Sequence, residues 1–189
     1  MMKGNYGFVK SLPEGEHFLR LLPATDLPWF TTYRANDIAN NHCGAVMVTN
    51  LALYYASLGA DNLIVNDDID KTFIAVHKVV GNGPVFNLGQ KARKYFRQRG
   101  YDLSLRSAAS YSALKSALNA GNPLGLILAS TLFDWHWVLA LGWAQYAEGD
   151  NYLYIIDGWN SSPRYYRIHR GSLWLQATSY SLDIFTTEI

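Results

Sequence analysis

Apolar positions recur at two different periods along this chain, and the change from one to the other divides it. From Ala45 to Leu58, residues Val46, Leu51, Leu53, Tyr54 and Ala56 follow the 3.6-residue period of a helix of about four turns, ended near Gly59. Asp67, Asp68 and Asp70 offer N-caps for a second helix through Val79, and Gly81-Asn82-Gly83-Pro84 breaks the chain after it. The spacing predicts a third helix over Asn87 to Arg99, with Gly100 as its C-terminal stop. Ser110 caps a fourth that runs through Ala120, before Gly121-Asn122-Pro123 turns the chain.

Beyond Pro123 the pattern becomes that of strands. Leu124 to Leu128 is a continuous apolar run suited to a buried strand. Trp137 to Trp143 and Tyr152 to Ile156 form two strands joined by a polar turn containing Glu148-Gly149-Asp150-Asn151, and Arg164 to His169 and Leu182 to Phe185 supply two more. Sequential strands with short links favour an antiparallel sheet. Ahead of the first helix, Pro13, Pro23 and Pro28 interrupt short apolar pieces, the mark of an extended arm or one or two edge strands. The expectation is a single α+β domain over 1–189 without internal repeats: an extended arm over 1–35, a mainly helical half over 36–122 and an antiparallel sheet half over 123–189.

Composition narrows the function classes. At 49% hydrophobic and 16% charged residues the chain is globular. A net charge of +1, from 16 basic and 15 acidic residues, provides no field for nucleic acid or an anionic membrane. Lys91, Arg93, Lys94, Arg97 and Arg99 on the third helix read as a solvated basic face. The N-terminal residues lack the apolar core of a secretory signal, and no segment approaches the ~20 apolar residues of a membrane span. A cytoplasmic protein without membrane insertion is therefore expected, in which a thiol stays reduced. The 13 Tyr and 6 Trp are dense in the C-terminal third, where sheet propensity accounts for them.

The chemistry centres on Cys43, the one cysteine of the sequence, placed at the start of the first helix in Asn40-Asn41-His42-Cys43-Gly44. A solitary thiol makes no internal disulfide, and a helix N-terminus favours its thiolate. A thiol nucleophile needs a base, and the base needs a partner that fixes its tautomer. His136 opens one strand and Asp157 ends the next. In a hairpin those two ends are neighbours, and both residues are nearly equidistant from the turn around Ala147. The reading is a Cys43–His136–Asp157 relay. His42 is the competing base, but as the neighbour of Cys43 it points elsewhere, to a rim or a turn cap. Zinc on Cys43, His136 and Asp157 is a rival use of the same side chains, yet no HExxH or CxxC spacing supports it, and neither metal nor cofactor is expected. Developing negative charge on an acyl intermediate needs donors, which the main-chain N–H of Cys43 and a side-chain amide from Asn36, Asn40 or Asn41 would supply.

These motifs, Asn41-His42-Cys43-Gly44-Ala45 with Asn50 and Tyr54-Tyr55, then His136-Trp137-Val138-Leu139-Ala140-Leu141-Gly142, then Ile156-Asp157-Gly158-Trp159, resemble the papain-like cysteine peptidases. They are similar in particular to bacterial domains related to those that trim double-glycine leader peptides. The resemblance implies the papain-like α+β fold, with N-terminal helices and the nucleophile helix packed on a C-terminal antiparallel sheet. It also implies a thiol-dependent hydrolase, a cysteine peptidase or amidase, that acts on a peptide or amide substrate through a thioester. Acyl transfer of the transglutaminase type on the same triad, or an inactive peptide-binding module, are the alternatives. Such enzymes place a Gln some six residues before the cysteine as an oxyanion donor, and here Asp37 stands there. A carboxylate would repel the developing charge, so either Asn36 or Asn40 takes over or activity is impaired.

Overall fold

The computed structural model describes residues 6–23, 26–36, 42–83, 85–132, 134–168 and 173–183. In chain order its elements are β1 (Phe8–Val9), β2 (His17–Leu21), α1 (Thr32–Ala35), α2 (Cys43–Ala56), a short 3-10 turn (Asp61–Leu63), α3 (Ile69–Val80), α4 (Leu88–Gln98), β3 (Leu103–Ser107), α5 (Tyr111–Asn119), β4 (Leu124–Thr131), β5 (Asp134–Tyr146), β6 (Asn151–Ile156), β7 (Arg164–Arg167) and β8 (Leu173–Leu182). The helices begin where the caps required. Asp68 accepts from the N–H groups of Asp70 and Lys71, and Ser110 accepts from Ala113 N–H. After α4, Gly100 takes up a φ of +91°, a left-handed turn that a side chain would resist.

One antiparallel sheet runs in the order β1-β7-β6-β5-β4-β8-β3, with β2 added on β5. The 13 residues of β5 carry β6 on one edge, and on the other first β4 and then β2. The handover from β4 to β2 needs Gly142, because a Cβ there would lie 2.5 Å from the main-chain oxygen of Arg20. Helix α2 rests on β5 and is flanked by α3 and α4, and every residue from Gly44 to Tyr55 is buried. Three polar bonds fix it. Buried Asn50 accepts from Phe30 N–H (2.8 Å) and donates to Phe30 O (3.0 Å), and the Tyr55 hydroxyl donates to Tyr180 O across the sheet (2.9 Å).

The observed architecture differs from the sequence expectation in three places. The strand β3 lies within the stretch expected to be helical and forms the sheet edge beside β8. The last described strand covers Leu173–Leu182, earlier than the expected Leu182 to Phe185, and Phe185 falls outside the described residues. Part of the basic face of α4 is a set of staples rather than a solvated surface. Arg93 donates to Leu103 O, Arg99 to Asn62 O and Lys91 to Val80 O, which ties the helix to the segments around it.

Candidate active site

His136 is the third residue of β5, and Asp157 directly follows β6. The pairing of Leu139 with Ile156 brings these two strand ends together, as the hairpin required. His136 Nε2 lies 2.6 Å from the main-chain oxygen of Asp157. A carbonyl only accepts, so Nε2 is the nitrogen that carries hydrogen, and in the neutral ring the basic lone pair belongs to Nδ1.

The carboxylate of Asp157 serves a different set of donors. Its Oδ1 accepts from Trp159 N–H and Asn160 N–H, both at 2.9 Å, and its Oδ2 accepts from the Asn160 side-chain amide at 2.6 Å. These bonds fold residues 157–160 into a tight turn that lays the Trp159 indole parallel to the imidazole, 3.7 Å between centroids and 12° between planes. Asp157 therefore holds His136 twice, by its carbonyl directly and by its carboxylate through Trp159. Gly158 takes a φ of +71° in this turn, and a Cβ there would come within 3.0 Å of Val46 on α2. Both His136 and Asp157 are buried.

Cys43 is the first residue of α2. Its sulfur interacts with its own N–H and with those of Gly44 and Trp137, the last being the residue after His136. The starts of α2 and β5 thus adjoin, and Cys43, His136 and Asp157 share one margin of the sheet. Burial is the largest influence on the thiol and pushes it up, the three N–H groups oppose this, and the charge of Asp134 adds to the rise. The lowering expected from the helix start alone is outweighed, so at rest the thiol is held protonated more firmly than a free cysteine.

His42 occupies the N-cap position without capping. It is buried, with Nε2 3.3 Å from Thr32 O and its ring edge-on to Phe73, so it packs between α1 and α3 instead of lining a rim. Of the candidate amides, Asn36 is exposed as the C-cap of α1, with its N–H on Tyr33 O. Asn40, Asn41 and Asp37 lie outside the described residues. The N-terminal segment enters the site, which the sequence did not signal beyond the alternation Tyr6-Gly7-Phe8. Tyr6 packs 5.8 Å from the His136 ring and 5.6 Å from Trp159, and Phe8 covers the same indole at 5.9 Å. Among the described residues no group of three or more His, Cys, Asp or Glu side chains is arranged to hold a metal ion, and no helix is long and apolar enough to cross a membrane.

No family model and no curated protein sequence matches this chain. A solved structure does: a chain from Bacillus anthracis described as a "putative C39-like peptidase" superposes with a TM-score of 0.54 at 15% identity, over 86% of this chain and 98% of that one. At that identity the likeness is one of fold. The architecture is the α+β papain-like peptidase fold, with α2 packed on an antiparallel sheet.

Proposed function

We propose that this protein is a thiol-dependent hydrolase of peptide or amide bonds, with Cys43 as nucleophile, His136 as base and Asp157 as the residue that orients the imidazole. The observation that carries the reading is the bond from His136 Nε2 to Asp157 O, which leaves Nδ1 as the basic nitrogen at the margin where Cys43 begins its helix. Because the resting thiol is held protonated, proton removal and attack belong together. His136 takes the Cys43 proton as the sulfur bonds to the substrate carbonyl carbon. The imidazolium then returns that proton to the leaving amine as the C–N bond breaks, and a thioester remains on Cys43. Water, deprotonated by His136, attacks the thioester and releases the acid. The main-chain N–H of Cys43 and an amide from Asn36, Asn40 or Asn41 are the donors available to the oxyanion.

The substrate class that follows is a peptide, and the resemblance to double-glycine leader peptidases makes an extended leader-like segment ending in two glycines the first to assay. Cleavage of a degenerate peptide library, read by mass spectrometry, tests the reaction. Cys43→Ala and His136→Ala are expected to abolish cleavage, and His136→Ala also to slow alkylation of Cys43 by iodoacetamide. Cleavage that survives in Cys43→Ala, or alkylation at the wild-type rate in His136→Ala, would overturn the assignment.

A further inference from the structure

Among the described residues β2 pairs on one side alone, with β5 at residues 142–146, the other end of that strand from His136. All five of its residues are exposed, and Phe18 is 59% exposed although its ring stacks on Trp143 at 5.1 Å. Leu22 N–H donates to Leu141 O, which continues the register of Leu21 with Gly142 and fixes the phase of the ladder. Phe18 and Arg20 therefore turn their main-chain groups toward β5, and His17, Leu19 and Leu21 turn theirs outward.

Such an edge is a template for another strand, and proteins that stay single guard it with a proline, a bulge or an ill-placed charge. Residues 17–21 contain no proline, and their pairing with β5 has no register shift. The charges that flank Phe18 attract a copy of the same strand. When two copies pair antiparallel about a two-fold axis at Phe18, Glu16 faces Arg20 of the second copy, His17 faces Leu19 and Phe18 faces Phe18. The phase agrees with this register. His17 and Leu19, with outward main-chain groups, make the hydrogen-bonded pairs, and Phe18 with Phe18 and Glu16 with Arg20 fall where cross-strand side chains approach most closely. Both Glu16 and Arg20 are exposed, and among the described residues neither has an ion-pair partner. A register centred on Leu19 keeps the phase but sets Arg20 against Phe18 and Glu16 against Leu22, so charge selects the first.

We propose that the outer edge of β2 is the interface for a second copy of this chain, an isologous strand pair that joins the two sheets edge to edge. The two-fold axis closes both edges at once, so assembly stops at a dimer instead of growing into a fibre. The stack of Phe18 on Trp143 continues across the axis into its counterpart. Because β2 meets β5 away from His136, each copy keeps its own candidate site uncovered.

Sedimentation equilibrium tests the dimer. A short strand pair is a small interface, so the wild-type mass should rise from 21.3 kDa toward twice that value between about 1 and 300 μM. Glu16→Arg and Arg20→Glu each set like charges against one another and should each raise the dimer dissociation constant by at least about ten-fold. Mixed in equal amounts, the two variants again oppose unlike charges at both positions, and association should return to within about three-fold of wild type. Misfolded variants would not recover on mixing. A wild-type protein that stays at 21.3 kDa throughout, a dimer indifferent to both substitutions, or variants that fail to recover when mixed overturns the proposal. So does a response to Arg20→Glu without one to Glu16→Arg, the mark of the register centred on Leu19. Hydrogen exchange identifies the occupant of the edge. Protection of Leu19 N–H should grow with protein concentration, and protection independent of concentration would assign the edge to a segment of the same chain and overturn the dimer.

Discussion

Replacing Asp157 separates two ways in which a carboxylate can serve an active-site histidine. If it bound the imidazole directly, Asp157→Asn would present the wrong tautomer and cost on the order of 10⁴ in rate, as in serine proteases. Here the acceptor for His136 Nε2 is the main-chain oxygen, which the substitution leaves in place. The asparagine oxygen can still accept from the N–H groups of Trp159 and Asn160. Only the contact with the Asn160 amide becomes donor against donor, and a rotation of that amide relieves it. Asp157→Asn should therefore lower stability by about 1 kcal/mol, one hydrogen bond weakened, and kcat/KM by less than about ten-fold. Asp157→Ala removes the acceptor for all three donors and strands two main-chain N–H groups, a loss of about 3–5 kcal/mol. It also releases Trp159 from the imidazole, so activity should fall with it. Urea unfolding gives the first quantity, and peptide cleavage or Cys43 alkylation gives the second. A loss of 10³ or more in folded Asp157→Asn protein would refute the division of labour between carbonyl and carboxylate.

Two further outcomes follow from the core. Asn50→Ala leaves the buried N–H and C=O of Phe30 without their partner and should cost about 2–4 kcal/mol in urea unfolding, whereas a loss under about 1 kcal/mol would mean that water replaces the amide. Burial pushes Tyr54, Tyr95 and Tyr111 up to about 12 from 10.0. Between those values the unfolded chain has released protons that the folded state keeps, so stability is full below pH 10 and declines as pH rises toward 12. Absorbance at 295 nm should show a set of tyrosines that ionise together with loss of the folded circular dichroism signal, and independent titration of all tyrosines in a folded protein would contradict this.

The parts of the fold legible in the sequence are those that local chemistry specifies. Asp68 and Ser110 marked helix starts because their oxygens satisfy N–H groups nearby in sequence, and Gly100 marked an end because its φ suits glycine. The strand β3 escaped because Leu103-Ser104-Leu105-Arg106-Ser107 is short and polar, and becomes a strand only through β8, some 70 residues away. In β8, Gln176, Thr178, Ser179 and Ser181 hide a strand whose pattern is set by its two neighbours. Within the site, hairpin symmetry was enough to make His136 and Asp157 neighbours. It could not distinguish carbonyl from carboxylate, because which atom meets the ring depends on the turn after β6. The entry of Tyr6 was illegible for a related reason: the arm is joined to the site through the pairing of β1 with β7, a contact across the length of the chain.

The unbroken burial of α2 has a kinetic meaning for the thiol at its start. A helix covered from Gly44 to Tyr55 has no solvent-facing side along which to peel away, so its amides should exchange hydrogen only through openings that involve the β5 sheet as well. Cys43 should then share the cooperative unit of α2 and β5, even though it sits at a helix end where fraying is usual. Denaturant or heat should consequently spare the reactivity of this thiol until the midpoint of global unfolding and change it there in a single step.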